Sequence, residues 1–357
     1  MSQGGPPTDD GRTVRIRNEV LAHFTIDDFP ALTEWGRLGL QTRPLAGLRI
    51  LVAFPTWPNT LALYLTLMES GAELVFTPGP VMPHDPATVE RLPQWSVRVT
   101  DDPRGVDPDI VMDCAGVLAG VESRLGYVEL TQSGVSAYRS CPQPVFLVDA
   151  GSIKLIENSL GTGDGFVRGL AHSGYPAIAG RRIVVFGGGK VGGGVARRCA
   201  AEGADVVVID RHPDVGTEGS IQFVAADDRE AVRQTVRSAW CIVTATGEAG
   251  AVAPFASDLL HSGAVLANMG VEDEFGPLVP TGRVLNGKKP LNFCLSEPTR
   301  LRYIDPTFAL AAAGATELAL GHLSPGINIP DPHLEERIMA PVRAHGSIAP
   351  ELAAVGL

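Results

Sequence analysis

The sequence has few cysteines and none of the cysteine spacings that usually hold a metal ion. Its five cysteines, Cys114, Cys141, Cys199, Cys241 and Cys294, are scattered over 357 residues, and no two of them form a C-x-x-C pair. The missing pairs argue against a zinc site, and an odd number of widely spaced cysteines argues against a disulfide framework. We therefore expect reduced thiols, no metal ion and a cytoplasmic location.

Long apolar runs and an excess of positive charge are also missing. No stretch approaches the roughly 20 apolar residues that a membrane-spanning helix requires. Residues 1–12, MSQGGPPTDDGR, lack the basic flank and apolar core of a signal peptide. The formal net charge is −11, and negative charge repels the phosphates of nucleic acids. We predict that the protein binds neither membranes nor nucleic acid.

What the sequence does contain is a series of short, continuous apolar runs. LRILVAF, DIVMDCAG and PVFLVDAG occur in the first half of the chain, and RIVVFGGG, DVVVID and WCIVTATG occur after residue 181. Helical stretches separate them. Apolar runs without alternation are typical of parallel strands that are buried on both faces. The pattern predicts an α/β protein with two doubly wound parallel-sheet domains.

One turn of the second series is crowded with glycine. Gly187, Gly189 and Gly192 form a G-x-G-x-x-G pattern between a strand and a helix, and Asp210 ends the next strand. These glycines permit a tight turn, the close approach of a pyrophosphate to the helix N-terminus, and helix–strand packing. A glycine-rich turn without a ligand is the alternative. We predict a Rossmann domain that binds NAD. Asp210 would bind the ribose diol and repel a 2′-phosphate, which favours NAD over NADP. The neighbouring Arg211 weakens the preference for NAD.

The two series of strands also predict domain boundaries. We expect residues 1–152, together with about 300–325, to form a substrate domain, because the helix FALAAAGATELAL is placed to return to the first sheet. Residues 153–299 are expected to form the NAD-binding Rossmann domain. Residues 326–357 are expected to form a C-terminal helical segment.

The glycine-rich segment VVFGGGKVGGGVARRCAAEGADVVVID resembles the cofactor motif of the S-adenosylhomocysteine hydrolase (adenosylhomocysteinase) family. ELTQSGV, SIKLIENSLG, VTATGE and NMGVEDE are similar, in the same order, to other segments of that family, and the likeness runs from about residue 45 onward. The resemblance implies tightly held NAD and a particular chemistry. A 3′-hydroxyl of a nucleoside is oxidised, the 4′ C–H loses a proton, and the 5′ substituent leaves.

The resemblance assigns catalytic roles to three residues of SIKLIENSLG. Lys154 matches the lysine that takes the 3′-hydroxyl proton, if one deletion is allowed before Asn158. Glu157 matches the acid beside that lysine, and Asn158 matches the asparagine at the nicotinamide. A lysine among apolar neighbours can act as a base. An exposed helix face with a spaced charge pair is the alternative interpretation of KLIEN.

Further site residues follow from the same likeness. The expected cofactor-binding residues are Thr131, Gln132, Ser133, Asn158, Gly187, Gly189, Lys190, Val191, Gly192, Asp210, Arg211, Ala245, Thr246, Met269, Gly270 and Asn292. The expected substrate-binding residues are Trp57, Asn59, Thr60, Asp113, Glu129 and Glu297. Asn268 matches another position of the cofactor domain. An ordinary polar turn is the alternative for several of these residues.

The sequence departs from the family where a substrate would bind. Pro55 and Trp57 stand where the family has a histidine and a threonine. Val271 replaces a catalytic-site histidine, and Glu297 lies near the position of another lost histidine. The cofactor motif is retained. The resemblance therefore implies that the redox step survives and that the substrate has changed.

Three functions remain open on these observations. The first is an NAD-dependent dehydratase or lyase that acts on an adenosine-type nucleoside, for example in nucleoside antibiotic biosynthesis, and re-reduces the sugar after elimination. The second is hydrolysis of S-adenosylhomocysteine to adenosine and homocysteine. The third is a catalytically inactive, NAD-binding regulatory protein. In each case we expect a small-molecule nucleoside partner and a homo-oligomer, either a dimer or a tetramer.

Overall fold

A computed structural model describes residues 11–78, 83–212 and 219–357. The strands are β1 Arg49–Val52, β2 Glu73–Phe76, β3 Arg98–Val99, β4 Ile110–Asp113, β5 Gly126–Glu129, β6 Pro144–Leu147, β7 Arg182–Phe186, β8 Asp205–Asp210, β9 Gln222–Ala225, β10 Cys241–Thr244, β11 Val265–Asn268 and β12 Gly326–Asn328. The α-helices are α1 Gly11–His23, α2 Pro30–Thr42, α3 Thr60–Glu69, α4 Pro86–Arg91, α5 Val135–Tyr138, α6 Thr162–His172, α7 Lys190–Ala201, α8 Arg229–Ser238, α9 Ala256–His261, α10 Leu301–Ala319 and α11 Pro332–His345.

The chain divides into two compact units. Unit 1 comprises Met1–Lys154 and Leu301–Ala353, and unit 2 comprises Leu155–Arg300 and Ala354–Leu357. Each unit contains one sheet, and every strand pair in both sheets is parallel. The predicted fold class, an α/β protein with two parallel sheets, is confirmed. None of the helices in the described part of the chain is long and apolar enough to span a membrane.

The sheet of unit 1 has seven strands in the order β3-β2-β1-β4-β5-β6-β12. Ile50, Leu51 and Val52 of β1 are fully or almost fully buried, as expected for a central parallel strand. The strand order reverses between β1 and β4, and ligands of open parallel sheets bind at the carboxyl ends of the strands at such a point. The predicted substrate residues Trp57 and Asn59 follow β1 and Asp113 ends β4, so these residues lie at this edge.

The sheet of unit 2 has five strands in the order β9-β8-β7-β10-β11, which is the Rossmann order. Alternate residues of its strands enter two different apolar cores, because successive side chains of a strand point to opposite faces. Val184 of β7 packs in a core with Val232 of α8, whereas Ile183 packs in a core with Phe166 of α6 and Val195 of α7. Helices therefore cover both faces of the sheet, which makes it doubly wound.

The C-terminal residues depart from the prediction of a separate helical segment. Gly326–Asn328 form β12, which extends the sheet of unit 1 by pairing with β6. Helix α11 and a 3₁₀ helix at Ala349–Val355 follow. A strand of three residues is too short to show a periodic pattern, so the sequence indicated only the helices.

A buried carboxyl group of α10 caps helix α2. Asp305 is 1% exposed, and its two oxygens accept hydrogen bonds from the backbone N–H groups of Ala31 at 3.0 Å and Leu32 at 2.9 Å. These donors lie in the first turn of α2 and have no partner within the helix. Burial raises the pKa of Asp305 from 3.8 to about 7, against the lowering effect of the two backbone bonds. The cap therefore joins two distant parts of unit 1.

We expect the contribution of Asp305 to stability to depend on pH. The unfolded carboxyl group ionises near pH 3.8, whereas the folded one keeps its proton until about pH 7. The stability of the wild type relative to Asp305→Asn should therefore fall by about 4 kcal/mol as the pH rises from about 4 to about 7, and then level off. Urea unfolding of both proteins across this range measures the difference.

Asp102→Asn is the matched control, because Asp102 also caps a short helical turn of unit 1 but is exposed. Its stability relative to the wild type should change little across the same range. A difference between the wild type and Asp305→Asn that is independent of pH would contradict the assignment of a protonated cap.

Candidate functional site

Each glycine of the G-x-G-x-x-G pattern, the dinucleotide fingerprint of unit 2, occupies a different structural environment. Gly187 has a φ of +90°, and a Cβ there would lie 2.5 Å from the carbonyl oxygen of Ala245. A Cβ on Gly192 would overlap the carbonyl oxygen of Gly187. A Cβ on Gly189, the N-cap of α7, would meet no protein atom within 4 Å. Gly187 and Gly192 are therefore required by the fold, whereas Gly189 leaves open the space in front of the helix N-terminus.

Asp210, at the end of β8, fixes the glycine turn through a hydrogen bond to its backbone. Its Oδ2 accepts a hydrogen bond of 2.6 Å from the N–H of Gly188, and its Oδ1 accepts one of 3.0 Å from the N–H of His212. A cavity of about 430 Å³ opens beside it. The predicted cofactor residues that line this cavity are Gly187, Gly189, Asp210, Arg211, Ala245 and Thr246. The cavity therefore lies at the carboxyl edge of the sheet, where a Rossmann fold binds the adenosine half of a dinucleotide.

Two buried residues fix the loops that follow β10 and β11. Glu274 is fully buried and accepts hydrogen bonds from the backbone N–H and the hydroxyl of Thr246 and from the N–H of Gly247. Burial raises the pKa of Glu274. Asn268 donates from its amide nitrogen to the carbonyl oxygens of Gly270 and two other residues, and its Oδ1 accepts from the N–H of Gly270. Glu274 was not among the predicted site residues, because nothing in the sequence GVEDEFG shows which loop its carboxylate contacts.

Other predicted cofactor residues occupy different settings. Met269 is buried in an apolar core of unit 2, and Val191 packs against the same core. Lys190 is the exposed first residue of α7. Asn292 is buried next to α6, where a Cβ on Gly165 would lie 3.0 Å from its own Cβ.

The candidate catalytic segment contains an uncommon helix. Ile156–Gly161 form a π-helix that continues directly into α6. Such turns are rare and often occur at functional sites. Glu157 and Asn158 lie in this turn and are partly buried. Lys154, the last residue of unit 1, is 2% exposed, so the alternative of an exposed KLIEN face does not describe this lysine.

Helix α7 and the π-helix are in direct backbone contact within unit 2. A Cβ on Gly194 would overlap the carbonyl oxygen of Ser159 and lie 2.6 Å from its Cα. A Cβ on Gly163 would lie 2.7 Å from the carbonyl oxygen of Gly194. Arg197 of α7 donates a hydrogen bond of 2.6 Å to the hydroxyl of Ser159. The additional glycines of the turn therefore bring the helix of the dinucleotide fingerprint against the segment that carries Glu157 and Asn158.

The loop that carries Glu297 is held by an arginine of α6. The guanidinium of Arg168 donates to Asp164 at 2.6 Å and to the carbonyl oxygen of Glu297 at 2.9 Å. Asp164 is 1% exposed and also lies 3.5 Å from Arg198 and 3.6 Å from Arg300. This cluster fixes the backbone of the predicted substrate residue Glu297 within unit 2.

The predicted substrate residues of the loop after β1 are buried in unit 1. Trp57 is 8% exposed, Asn59 is 4% exposed and Thr60 is 1% exposed. The Oγ1 of Thr60 accepts a hydrogen bond from the N–H of Trp57 at 3.2 Å and donates one to the carbonyl oxygen of Pro55 at 3.1 Å. The turn is therefore closed by its own side chains, at the carboxyl end of β1.

Asp113 and Glu129, which end β4 and β5, both bind the loop that follows β4. Asp113 accepts from the N–H of Cys114 and Leu118 at 2.8 Å each and from the hydroxyl of Tyr138 at 2.5 Å. Burial raises its pKa to about 6. Its oxygens are therefore engaged with the protein's own donors.

Glu129 completes the same arrangement. It accepts from the N–H of Ala115 at 3.0 Å and of Gly116 at 3.1 Å, and from both the N–H and the hydroxyl of Thr131. Burial raises its pKa to about 7. Asp113 and Glu129 thus both position the loop after β4, at the edge of the sheet where substrate residues were predicted. The predicted cofactor residues Gln132 and Ser133, which follow Thr131, are exposed.

Comparison with known proteins supports the dinucleotide site and the resemblance. A family profile described as "Putative NAD(P)-binding" matches residues 176–274. The chain is 26% identical over 294 residues to the adenosylhomocysteinase of Haloquadratum walsbyi, a match that covers 73% of this chain and 67% of that protein. It is 25% identical over 356 residues to the S-inosyl-L-homocysteine hydrolase of Methanopyrus kandleri, with coverage of 84% and 83%.

These matches confirm the predicted resemblance: the chain is a distant homologue of the adenosylhomocysteinases, and unit 2 contains an NAD(P)-binding domain. The match spans about two thirds of the Haloquadratum protein. Among solved structures, a dipicolinate synthase chain from Bacillus halodurans superposes with a TM-score of 0.54 at 15% identity, over 77% of this chain and 99% of that chain. That likeness shows the fold alone.

We predict that Gly194→Ala destabilises unit 2 and displaces the π-helix. Alanine in a helix interior is ordinarily more favourable than glycine, but here the new methyl group would overlap Ser159. The overlap should cost about 1–3 kcal/mol of the free energy of unfolding. Thermal unfolding measures the loss, and a variant as stable as the wild type would show that the contact is not tight.

Gly189→Ala should behave in the opposite way. Gly189 has a φ of −61°, and its added methyl group would meet no protein atom, so stability should be unchanged. Because that methyl group points into the space where a pyrophosphate would lie, we expect NADH to bind at least about tenfold more weakly. Titration by nicotinamide fluorescence tests this, and unchanged affinity would place the dinucleotide elsewhere.

Proposed function

We propose that the protein is an NAD-dependent enzyme that acts on an adenosine-type nucleoside. It transiently oxidises a sugar hydroxyl, eliminates the 5′ substituent and restores the hydroxyl. One observation carries the proposal: the backbone contact between Gly194 and Ser159 places the fingerprint helix against the π-helix that contains Glu157 and Asn158.

The residues of unit 2 suit a nicotinamide dinucleotide. The space in front of Gly189 is open to a pyrophosphate, and the positive end of the helix dipole of α7 lies at its N-terminus, where it would favour phosphate. Asp210 lines the cavity at the end of β8, where a ribose diol binds in this fold. When bound, the cofactor supplies the reversible oxidation of a sugar hydroxyl to a ketone. Asn158 is the residue proposed to orient the nicotinamide.

Lys154 is the proposed base. It accepts the proton of the 3′-hydroxyl during the oxidation. A ketone at the 3′ carbon acidifies the 4′ C–H, so loss of that proton forms the 4′,5′ double bond as the 5′ substituent leaves with its bonding electrons. Glu157, in the following π-helix, is proposed to orient Lys154 or relay its proton. Return of the hydride to the 3′ carbon, with the proton held by Lys154 going back to the 3′ oxygen, would restore the hydroxyl. The 4′ proton leaves with the 5′ substituent X, so the net reaction is loss of one molecule HX from the nucleoside.

The positions where this chain differs from the adenosylhomocysteinases favour elimination without the addition of water. Val271 replaces a family histidine and is 77% exposed in the loop after β11. Asp113 and Glu129 bind the protein's own backbone, so they are not free to activate water. A dehydratase or lyase of this kind would suit the biosynthesis of an unsaturated nucleoside antibiotic. We also propose that the chain works in the cytoplasm as a homo-oligomer.

Hydrolysis is the second candidate, and the homologues favour it. The relatives from Haloquadratum walsbyi and Methanopyrus kandleri carry the names of hydrolases of adenosyl- and inosylhomocysteine. The two chemistries differ in product, because hydrolysis of S-adenosylhomocysteine yields adenosine, whereas elimination yields the 4′,5′-unsaturated nucleoside. Mass spectrometry after incubation with adenosine and S-adenosylhomocysteine therefore separates them.

We predict that Lys154→Met strongly slows formation of reduced nicotinamide when a nucleoside substrate is added. Methionine resembles lysine in length and suits a site that is 2% exposed, so the variant should fold. Loss of a positioned base lowers such rates by about 10²–10⁴-fold. The near-ultraviolet absorbance of enzyme-bound reduced nicotinamide, recorded in a stopped-flow instrument, gives the rate.

Lys289→Met is the control, since Lys289 is an exposed lysine of unit 2. It should leave the rate of reduction unchanged, and both variants should bind NADH as the wild type does. If Lys154→Met reduced the cofactor as fast as the wild type, Lys154 would not be the base. If no nucleoside produced a signal with the wild type, the regulatory alternative would replace the catalytic one.

A further inference from the structure

Three loops of unit 2 bring two acidic and two basic residues to the wall of the dinucleotide cavity. Asp210 ends β8 and Arg211 follows it, Arg229 begins α8 after β9, and Glu248 follows β10. All four line the cavity of about 430 Å³, together with His212. In the proposed function this end of the cavity binds the adenosine ribose, so these charges decide which substituent is tolerated at its 2′ position.

The carboxylate of Asp210 is fixed but not saturated. It accepts one hydrogen bond on each oxygen, from the N–H groups of Gly188 and His212. An ionised carboxylate offers about four lone-pair positions, so about two remain for the hydroxyls of a ribose diol. Asp210 therefore favours a diol, and its charge opposes a 2′-phosphate.

An arginine beside such an acid favours a 2′-phosphate instead, since a guanidinium binds phosphate through two parallel hydrogen bonds. Here Arg211 is already engaged. Its Nη2 donates to both oxygens of Glu248, at 2.9 and 3.1 Å. The side chains of Arg211 and Glu248 are 71% and 56% exposed, so their ion pair adds little to the stability of the fold. The pair is therefore better explained by what it does to the cavity.

We propose that Glu248 is a specificity-determining residue of the cofactor site and acts by holding Arg211 away from the 2′ position. With Glu248 present, the negative charges of Asp210 and Glu248 offset the positive charges of the two arginines in the cavity wall. The cavity then favours NAD. Without the charge of Glu248, these four described residues leave the wall with a net positive charge, and Arg211 is released to bind a 2′-phosphate. This inference rests on the proposed dinucleotide site but not on the proposed reaction.

The test measures the dissociation constants of NADH and NADPH for the full chain, by fluorescence titration and calorimetry. The wild type should bind NADH more tightly than NADPH. Glu248→Gln should lower the dissociation constant for NADPH by about tenfold and leave that for NADH within about twofold. Adding Arg211→Gln to Glu248→Gln should return the NADPH affinity to that of the wild type, because Glu248 acts through Arg211.

Glu202→Gln is the matched control. It removes the same charge and breaks another exposed ion pair of unit 2, between Arg198 and Glu202, outside the cavity lining. The ratio of the two affinities should not change in this variant.

The outcomes separate this inference from the proposed function. An unchanged affinity ratio in Glu248→Gln, a gain that persists in the double variant, or a wild type that prefers NADPH would overturn the role of Glu248, although the dinucleotide site would stand. A wild type that binds neither cofactor would overturn both.

Discussion

The organisation of unit 2 depends on backbone contacts that exclude a side chain. Gly187 and Gly192 close the turn between β7 and α7, and Gly194 lets α7 touch Ser159 of the π-helix. The open position, Gly189, lies among them. The conformational entropy cost of so many glycines is thus offset by two close approaches, one within the turn and one to the π-helix that carries the candidate catalytic residues. The glycine turn and the π-helix are therefore joined by close backbone packing within the unit.

Buried carboxyl groups perform the corresponding task for the loops. Asp113 and Glu129 bind the loop after β4, Glu274 binds the loop after β10, and Asp305 caps α2. Each accepts at least two backbone N–H groups, and burial raises the pKa of each. Asp113, Glu129 and Glu274 therefore set the shape of loops at the carboxyl edges of these sheets, whereas Asp210 accepts only one hydrogen bond on each oxygen and keeps lone pairs for a ligand.

The sequence predicts those parts of the fold that depend on local pattern. Continuous apolar runs such as RIVVF are strands, and the spacing of Gly187, Gly189, Gly192 and Asp210 predicts the turn in its correct position between β7 and α7. The short strand β12 escapes prediction because Gly326–Asn328 form only through pairing with β6. The partners of Glu274 and Asp305 are equally invisible, because they lie 28 and about 273 residues away. Likeness to a family suggested substrate roles for Asp113 and Glu129, but only coordinates could show which donors these acids accept from.

The central claim is that a nicotinamide dinucleotide occupies the glycine turn of unit 2. The most direct measurement incubates the purified full chain with NAD⁺, removes unbound cofactor, denatures the protein and identifies the released small molecules by mass spectrometry. We expect one NAD molecule per chain, retained when unbound cofactor is removed and released on denaturation. A preparation that releases no dinucleotide would contradict the claim.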